Sequence, residues 1–289
     1  MNFNGLEDFL TRGRAVLAKG PVALIFAEDG VELTSTVAHH LKLGFRSVAV
    51  LKPEAVDWAP EAETAARLSV VTFDPFPRDA VPQALTRIMA VTPEATWLYW
   101  GYNAEYLLFP FCETRTVGEM LAFHAEERRQ AMIAYVIDLY APDLQAHPDG
   151  VTLGNAHFDR SGYYAAARYR DGQPLDRQME VFGGIRWRFE EHIPWKSRRL
   201  DRVALIRPEK GLEMRPDFTL SEEERNTISC PWHNNLTAAV ASFRTAKALR
   251  ANPGSKWAIG NFLWRGSERF DWSSKQLLDA GMMEPGQWF

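Results

Sequence analysis

A short polar segment in the middle of the chain carries side chains suited to ligand chemistry. An apolar run over residues 95–100 gives way to Gly101-Tyr102-Asn103-Ala104-Glu105, and a second apolar run follows. A continuous apolar run is typical of a strand that is buried on both faces in a parallel sheet. Because open α/β sheets bind ligands at the carboxyl ends of their strands, we expect this segment to form the rim of a binding crevice. Glu105 is its most useful charge; the alternative is that Asn103 and Glu105 only turn the chain.

A second polar cluster, Trp232-His233-Asn234-Asn235, precedes a segment with helical spacing at residues 237–249. Asn234 or Asn235 would serve as the N-cap of that helix. Alternatively, the start of the helix would bind an anion with the help of His233. Both interpretations require a helix that begins close to residue 237.

Two further features concern buried or paired titratable groups. Asp138 lies inside the otherwise apolar run 132–140, and a buried carboxylate requires a partner, which would be a structural arginine or a ligand. His39 and His40 are neighbours on a predicted helix, where adjacent side chains point about 100° apart. A packing role is therefore expected for them in preference to a shared metal ion.

The elements that position these residues alternate between strands and helices over roughly the first 110 residues. The patterns predict strands at 22–26, 47–51, 68–73 and 96–100, and helices at 5–19, 31–43 and 80–89. The first strand, helix and second strand form a βαβ unit, which requires a parallel pair. A helix at 116–129 and strands at 132–140 and 203–207 follow, whereas turns and charges dominate residues 147–208. The predicted fold class is therefore α/β with a mostly parallel sheet.

The composition of the chain excludes several classes of protein. The chain has 289 residues, of which 46% are hydrophobic, and its net charge of -4 gives no general reason to expect a nucleic-acid partner. Two cysteines, Cys112 and Cys230, argue against a disulfide scaffold and fit a reducing compartment. The amino terminus lacks the pattern of a signal peptide, and no apolar run approaches the ~20 residues that span a bilayer. We therefore expect a cytoplasmic protein without a transmembrane segment.

The chain contains no low-complexity linker and no internal repeat. This pattern predicts one domain over residues 1–250 and a carboxyl-terminal extension over residues 251–289. The extension is rich in aromatic residues, so it should pack on the same domain.

The order of these motifs resembles the bacterial family 2 glycosyltransferases of GT-A fold, particularly a divergent subgroup. The resemblance is carried by Phe26-Ala27-Glu28-Asp29, by residues 37–45 with their paired histidines, by Tyr102 to Leu107, and by Phe182-Gly183-Gly184-Ile185-Arg186-Trp187-Arg188. It covers most of residues 20–250 and rests on order and spacing. It implies a GT-A-like (Rossmann-like) fold, with a mixed, mostly parallel sheet that is flanked by helices.

The resemblance implies an inverting glycosyltransferase that moves a sugar from a nucleotide-sugar donor to a glycan or another hydroxyl acceptor. The residues expected to bind the donor are Glu28, Asp29, Tyr102, Asn103, Glu105, Arg186, Arg188, His233 and Asn234. In these enzymes two aspartates hold a divalent cation against the diphosphate. Here those positions are Tyr102 and Ala104, which leaves Glu105 as the ligand for Mn²⁺ or Mg²⁺. Other departures are Lys52-Pro53 and Ser242-Phe243-Arg244.

With fewer ligands for a metal ion, other charged side chains would have to neutralise the diphosphate and accept the proton. Arg186, Arg188 and Arg160 would neutralise the leaving diphosphate, unless they form a solvated basic face. Asp138 or Asp159 would act as the catalytic base that takes the proton of the acceptor hydroxyl, with Glu190-Glu191-His192 as a third option. Each of these carboxylates would otherwise have a structural role.

Two hypotheses about function follow from these departures. The first is an active glycosyltransferase with a degenerate metal site. The second is a catalytically inactive relative that binds a nucleotide, a glycan or a protein partner. An unrelated nucleotide-binding enzyme is disfavoured, because Glu28-Asp29-Gly30 after the first strand matches neither GxGxxG nor GxxxxGK.

Overall fold

The computed structural model describes residues 1–288, which form two compact units. Unit 1 combines residues 1–106, 114–133 and 203–226, and unit 2 combines residues 107–113, 134–202 and the chain from residue 227 onward. Each unit is described separately below.

The strands in chain order are β1 (Asn2–Phe3), β2 (Val22–Phe26), β3 (Ser47–Lys52), β4 (Leu68–Thr72), β5 (Leu98–Tyr102), β6 (Glu105–Leu108), β7 (Ala131–Tyr140), β8 (His157–Asp159), β9 (Tyr164–Arg170), β10 (Gln173–Phe182), β11 (Asp201–Ile206), β12 (Ser229–Cys230), β13 (His233–Asn234), β14 (Ala238–Ser242) and β15 (Ser267–Arg269). The α-helices are α1 (Leu6–Arg12), α2 (Arg14–Leu17), α3 (Leu33–Lys42), α4 (Ala80–Val91), α5 (Val117–Glu126), α6 (Gly184–Arg188), α7 (Arg244–Ala251), α8 (Pro253–Lys256) and α9 (Ser274–Asp279). Short 3₁₀ turns occur at Ala65–Arg67, Glu190–His192, Trp195–Ser197 and Glu223–Asn226.

Unit 1 is built on a mixed, mostly parallel sheet with the strand order β1-β4-β3-β2-β5-β11. The first five strands are parallel, and β11 runs antiparallel to β5. All residues of β2 and β5 are buried, which explains their unbroken apolar sequences. Unit 1 thus confirms the predicted α/β class.

Helices α1 to α4 of unit 1 connect its parallel strands, and α5 follows β6. Helix α3 joins β2 to β3 and buries Leu33, Val37 and Leu41, which recur at helical spacing. Helix α5 begins with a capping box, in which the hydroxyl of Thr116 accepts a bond from the backbone N–H of Glu119 at 3.3 Å. The carboxylate of Glu119 accepts the backbone N–H of Thr116 at 2.7 Å. These reciprocal bonds satisfy two donors that the first helical turn leaves without partners.

Unit 2 is organised around the carboxyl-terminal part of β7. Strand β14 pairs with it in parallel, from Ala238 opposite Ala134 to Ser242 opposite Asp138. Strand β8 pairs with its end in antiparallel fashion, and β15 pairs with β8. Strands β9 and β10 form a hairpin, as do β12 and β13.

Several predicted elements are confirmed, and three need correction. The predicted helix at residues 237–249 is wrong, because residues 238–242 form strand β14 and the helix begins only at Arg244. Its small residues are buried beside β7, so tertiary packing overrides the helical preference of alanine. Residues 147–208 contain β8, β9 and β10, so they are more regular than predicted. The predicted first helix is divided at Gly13 into α1 and α2.

The compact units divide the chain differently from the predicted domain of residues 1–250. Residues 251–288 belong to unit 2, together with residues 134–202. The division at residue 250 therefore stays a prediction. No helix within residues 1–288 combines the length and the apolar character needed to cross a membrane.

Candidate functional site

The strand order of unit 1 reverses between β2 and β5. Strands β3 and β4 extend the sheet on one side of β2, whereas β5 lies on its other side. Open α/β sheets bind ligands at such a switch point, in the crevice outside the carboxyl ends of the strands. The segments that leave β2 and β5 at this point contain Glu28, Asp29 and Asn103.

The side chain of Asn103 fixes the loop that follows β2. Its Nδ2 donates to Oδ1 of Asp29 at 2.6 Å and to the carbonyl of Val31 at 2.9 Å. Its Oδ1 accepts the backbone N–H of Glu28 at 2.9 Å. Asn103 is fully buried, while Glu28 and Asp29 are half-buried. The structure therefore brings three of the predicted donor-binding residues together.

Residues 101–105 form a buried turn, which corrects the prediction of an open rim. Glu105 is 1% exposed, and its Oε2 accepts the backbone N–H of Tyr102 at 2.8 Å. Ala104 adopts a left-handed conformation with φ 58°, and its N–H donates to the hydroxyl of Thr36 at 2.9 Å. Asn103 and Glu105 thus hold the turn, as the alternative interpretation expects.

The chemistry around Glu105 does not fit a divalent cation. Mg²⁺ requires several oxygen ligands in octahedral geometry. Within residues 1–288 no group of three or more His, Cys, Asp and Glu side chains is placed to hold a metal ion. We therefore assign no step to a metal, and dependence on Mn²⁺ or Mg²⁺ stays a prediction.

In unit 2 the predicted base Asp138 is paired with the predicted donor-binding residue Arg186. The Nε of Arg186 donates to Oδ2 of Asp138 at 2.9 Å, and Nη2 donates to Oδ1 at 3.0 Å. The hydroxyl of Thr245 donates to Oδ1 at 2.8 Å. Burial raises the pKa of Asp138, and the charge of Arg186 opposes that shift. Of the two partners expected for Asp138, a structural arginine or a ligand, the structure therefore shows the arginine.

Asp159 and Arg188 form a second bidentate pair in unit 2. Nε of Arg188 donates to Oδ2 at 2.7 Å, and Nη2 donates to Oδ1 at 3.0 Å. The indole N–H of Trp264 donates to Oδ1 at 2.8 Å, and the hydroxyl of Tyr140 donates to the same oxygen. Burial and the nearby charge of Asp159 both raise the pKa of Tyr140. The phenol therefore stays protonated and remains a donor to the carboxylate.

These pairs determine what the two arginines can contact. The side chains of Arg186 and Arg188 are only 13% and 12% exposed, so neither belongs to a solvated basic face. Both guanidinium groups already carry two bonds to a carboxylate. Direct neutralisation of a diphosphate would require one of these pairs to open. The pairs are completed by three donors that the sequence did not predict: Tyr140, Thr245 and Trp264. The one sequence signal for their roles is the position of Tyr140, two residues after Asp138 on β7.

The remaining predicted residues of unit 2 lie elsewhere. His233 and Asn234 form β13, so the expected helix start beside them is wrong, and their role in donor binding stays a prediction. Nδ1 of His233 lies 3.0 Å from Sγ of Cys230, a pairing that the Cys-x-x-His spacing could have suggested. Arg160 is 3.4 Å from Glu268, and Glu190 pairs with Arg198 at 2.8 Å, both at the surface.

His40 has the packing role that was expected for it. Its Nδ1 contacts the carbonyl of Thr36 at 2.8 Å, and its ring stacks on Tyr99 with 4.7 Å between centroids. Burial lowers the pKa of His40 to about 3, so the ring is neutral at physiological pH.

Comparison with known proteins adds no family to these observations. No family model matches the chain, and no curated protein matches it.

Proposed function

We propose that the chain is an inverting glycosyltransferase of GT-A type, which binds its nucleotide-sugar donor at the switch point between β2 and β5 of unit 1. The observation that carries this proposal is the polar loop after β2, which Asn103 holds in place through three hydrogen bonds. An ordered loop at that position reduces the entropy that a ligand must remove on binding.

The side chains at this edge have complementary tasks in donor binding. Carboxylates of Glu28 and Asp29 accept hydrogen bonds from hydroxyl groups, as acidic residues at such switch points do with ribose. Lys52 ends β3 at the same edge, and its Nζ donates to the carbonyl of Val56 at 2.6 Å. Its positive charge favours the approach of a diphosphate. Lys52 replaces an acidic position of the resembled family, which supports a donor contact that differs from that of the family.

Inverting transfer also requires a carboxylate base, and the resemblance implies Asp138 or Asp159 for that role. Each of these carboxylates is buried and held by an arginine, so it would accept a proton only when its pair opens, and its role as the base stays a prediction. In the proposed reaction the base accepts the proton of the acceptor hydroxyl, the acceptor oxygen bonds to the sugar carbon, and the nucleoside diphosphate departs with the bonding electrons. The acceptor is a glycan or another hydroxyl compound.

A second candidate function is supported by the same two ion pairs. A catalytically inactive relative would keep donor binding and would use Asp138 and Asp159 only to hold unit 2 together. This candidate shares the binding site in unit 1 and differs only in turnover. The two candidates can therefore be separated by measuring binding and turnover on the same preparation.

Isothermal titration with UDP and with GDP, each with and without Mn²⁺, tests donor binding. We expect one nucleotide to bind, and we expect Glu28→Gln to weaken its affinity by about tenfold through loss of a charge-assisted bond. The exposed Glu63→Gln in the same unit is the matched control and should leave affinity unchanged. Absence of heat with both nucleotides under all conditions would refute the proposal.

Chromatographic detection of nucleotide released from UDP-glucose or GDP-mannose, with and without a panel of glycan acceptors, then tests turnover. Release that Asp138→Asn or Asp159→Asn abolishes, in a chain that still binds the nucleotide, supports the active enzyme. Donor binding without release supports the inactive relative.

A further inference from the structure

A pocket of about 310 Å³ opens in unit 1 beside the amino ends of β3 and β4. Ser47 is the first residue of β3 and Leu68 is the first residue of β4, and both line the pocket. The two strands are parallel, so their carboxyl ends, where the donor is proposed to bind, lie at the other edge of the sheet. The pocket is therefore separate from the switch point between β2 and β5.

The charged side chains that line this pocket are all positive. Lys19, Arg46 and Arg67 line it, and none of its ten lining residues is acidic. Arg67 already donates to the backbone carbonyls of Phe45 and Arg46. The side chains of Lys19 and Arg46 make no hydrogen bond or ion pair with any described residue. A concave surface that is lined by positive charges concentrates the electric field and attracts an anion.

A buried hydroxyl in the lining lacks a partner among the residues that the structure describes. Ser47 is 9% exposed, and its Oγ has no hydrogen bond. The Oγ atom itself has almost no accessible surface, so the donors that a ligand in the pocket can reach are its cations. Phosphate supplies several acceptors for such donors.

The pocket also has an apolar part. Ala15, Val16 and Ala66 line it next to the polar groups. Small-molecule sites commonly combine such apolar walls with a few placed polar groups. An inorganic ion would use only the polar part of the pocket.

We propose that this pocket binds a phosphorylated organic molecule, such as a sugar phosphate. Its phosphate lies against Lys19 and Arg46, and its organic part lies against the apolar wall. The inference is independent of donor binding, because none of its residues belongs to the switch point.

Isothermal titration with glucose 6-phosphate tests this site, with glucose and inorganic phosphate as reference probes. We expect glucose 6-phosphate to bind more tightly than inorganic phosphate, and we expect no heat from glucose. The Lys19→Ala/Arg46→Ala variant should weaken glucose 6-phosphate binding by at least about tenfold, since two charge-assisted contacts are lost. The Lys42→Ala/Lys210→Ala variant removes the same number of exposed cations from unit 1, outside the pocket, and should stay within about twofold of wild type.

Three results would overturn the proposal. They are no binding of glucose 6-phosphate to the wild-type chain, no preference for it over inorganic phosphate, and an equal loss of affinity in the two double variants. The Glu28→Gln variant separates this site from the proposed donor site. Its affinity for glucose 6-phosphate should equal that of wild type, and a parallel loss would place the phosphate at the switch point instead.

Discussion

The guanidinium of Arg186 holds the buried carboxylate of Asp138 through two hydrogen bonds, at 2.9 and 3.0 Å. The remaining Nη1 of Arg186 donates to the carbonyl of Arg199 at 2.6 Å and to that of Ser197 at 3.2 Å. One arginine thus connects β7 to the turn that leads into β11, inside unit 2. We therefore expect removal of the Arg186 side chain to lower the stability of the fold before it changes the binding of any ligand.

Replacement of Arg186 by methionine leaves the Asp138 carboxylate buried without its counter-charge. We expect Arg186→Met to lower the free energy of unfolding by about 3–5 kcal/mol, as measured by urea denaturation. Asp138→Asn/Arg186→Met should recover part of that loss, because the double variant has no buried unpaired charge. Arg160→Met is the control, since it breaks the exposed pair with Glu268 and should cost less than about 1 kcal/mol. A loss below 1 kcal/mol in Arg186→Met would show that Arg186 is not the counter-charge that stabilises this carboxylate.

Asn103→Ala removes the three hydrogen bonds that hold the loop after β2. At about 1 kcal/mol for each bond, we expect the free energy of unfolding to fall by about 3 kcal/mol. Nucleotide affinity measured by titration should fall in the same variant, because the loop loses its fixed conformation. Asn155→Ala, at an exposed position, should change stability by less than about 0.5 kcal/mol. Unchanged nucleotide affinity in a folded Asn103→Ala chain would mean that the loop does not contact the ligand.

His124 makes the stability of unit 1 depend on pH. Burial lowers its pKa from 6.5 to about 4, and its Nε2 donates to the carbonyl of Ala131 at 2.9 Å. The unfolded chain therefore binds the proton more tightly than the folded chain. The contribution of His124 is complete above pH 6.5 and is lost as the pH falls toward 4.

Between pH 7 and pH 5 we expect this one residue to cost about 2 kcal/mol of stability, with a similar cost from His40. Urea denaturation at the two pH values should show that His124→Gln removes about 2 kcal/mol of the difference. An identical difference in the variant and in wild type would indicate that His124 is already exposed to protonation in the folded chain.

The two cysteines should differ in their reaction with iodoacetamide. Burial raises the pKa of Cys112 from 9.0 to about 11, which lowers its thiolate fraction about 100-fold at neutral pH. The Sγ of Cys230 lies 3.0 Å from an imidazole nitrogen of His233. Because the thiol of Cys112 is the suppressed one, peptide mass spectrometry at pH 7.5 should find Cys230 modified first. In urea the two thiols should react at similar rates, and faster modification of folded Cys112 would contradict its burial.

The sequence predicts the parallel core of unit 1 well, because strands that are buried on both faces appear in it as unbroken apolar runs. Val22–Phe26 was predicted with the bounds that the structure shows, and β3 and β4 differ from their predictions by one residue. Strand β14 was missed because its alanines favour a helix locally, whereas its place beside β7 is decided by residues about 100 positions earlier. A single-sequence pattern contains no information about such a distant neighbour.

The candidate site could be predicted only in part for a related reason. Residue types identified Asp138, Asp159, Arg186 and Arg188, but the spacing does not reveal that these four residues pair with one another. Polar residues after a strand also have two possible roles. They can face a ligand, as is proposed for Glu28 and Asp29, or they can hold a turn, as Asn103 and Glu105 do. The backbone geometry that decides between these roles, such as the left-handed Ala104, is not encoded in hydrophobic periodicity.

The chain passes between its two units five times, after residues 106, 113, 133, 202 and 226. No single cut can release either unit intact, since the amino-terminal piece would lack β11, which borders β5. Deletion mapping will therefore produce incomplete fragments wherever the chain is truncated. Point substitutions, and co-expression of complementary fragments, are the appropriate genetic tools for assigning activities to this protein.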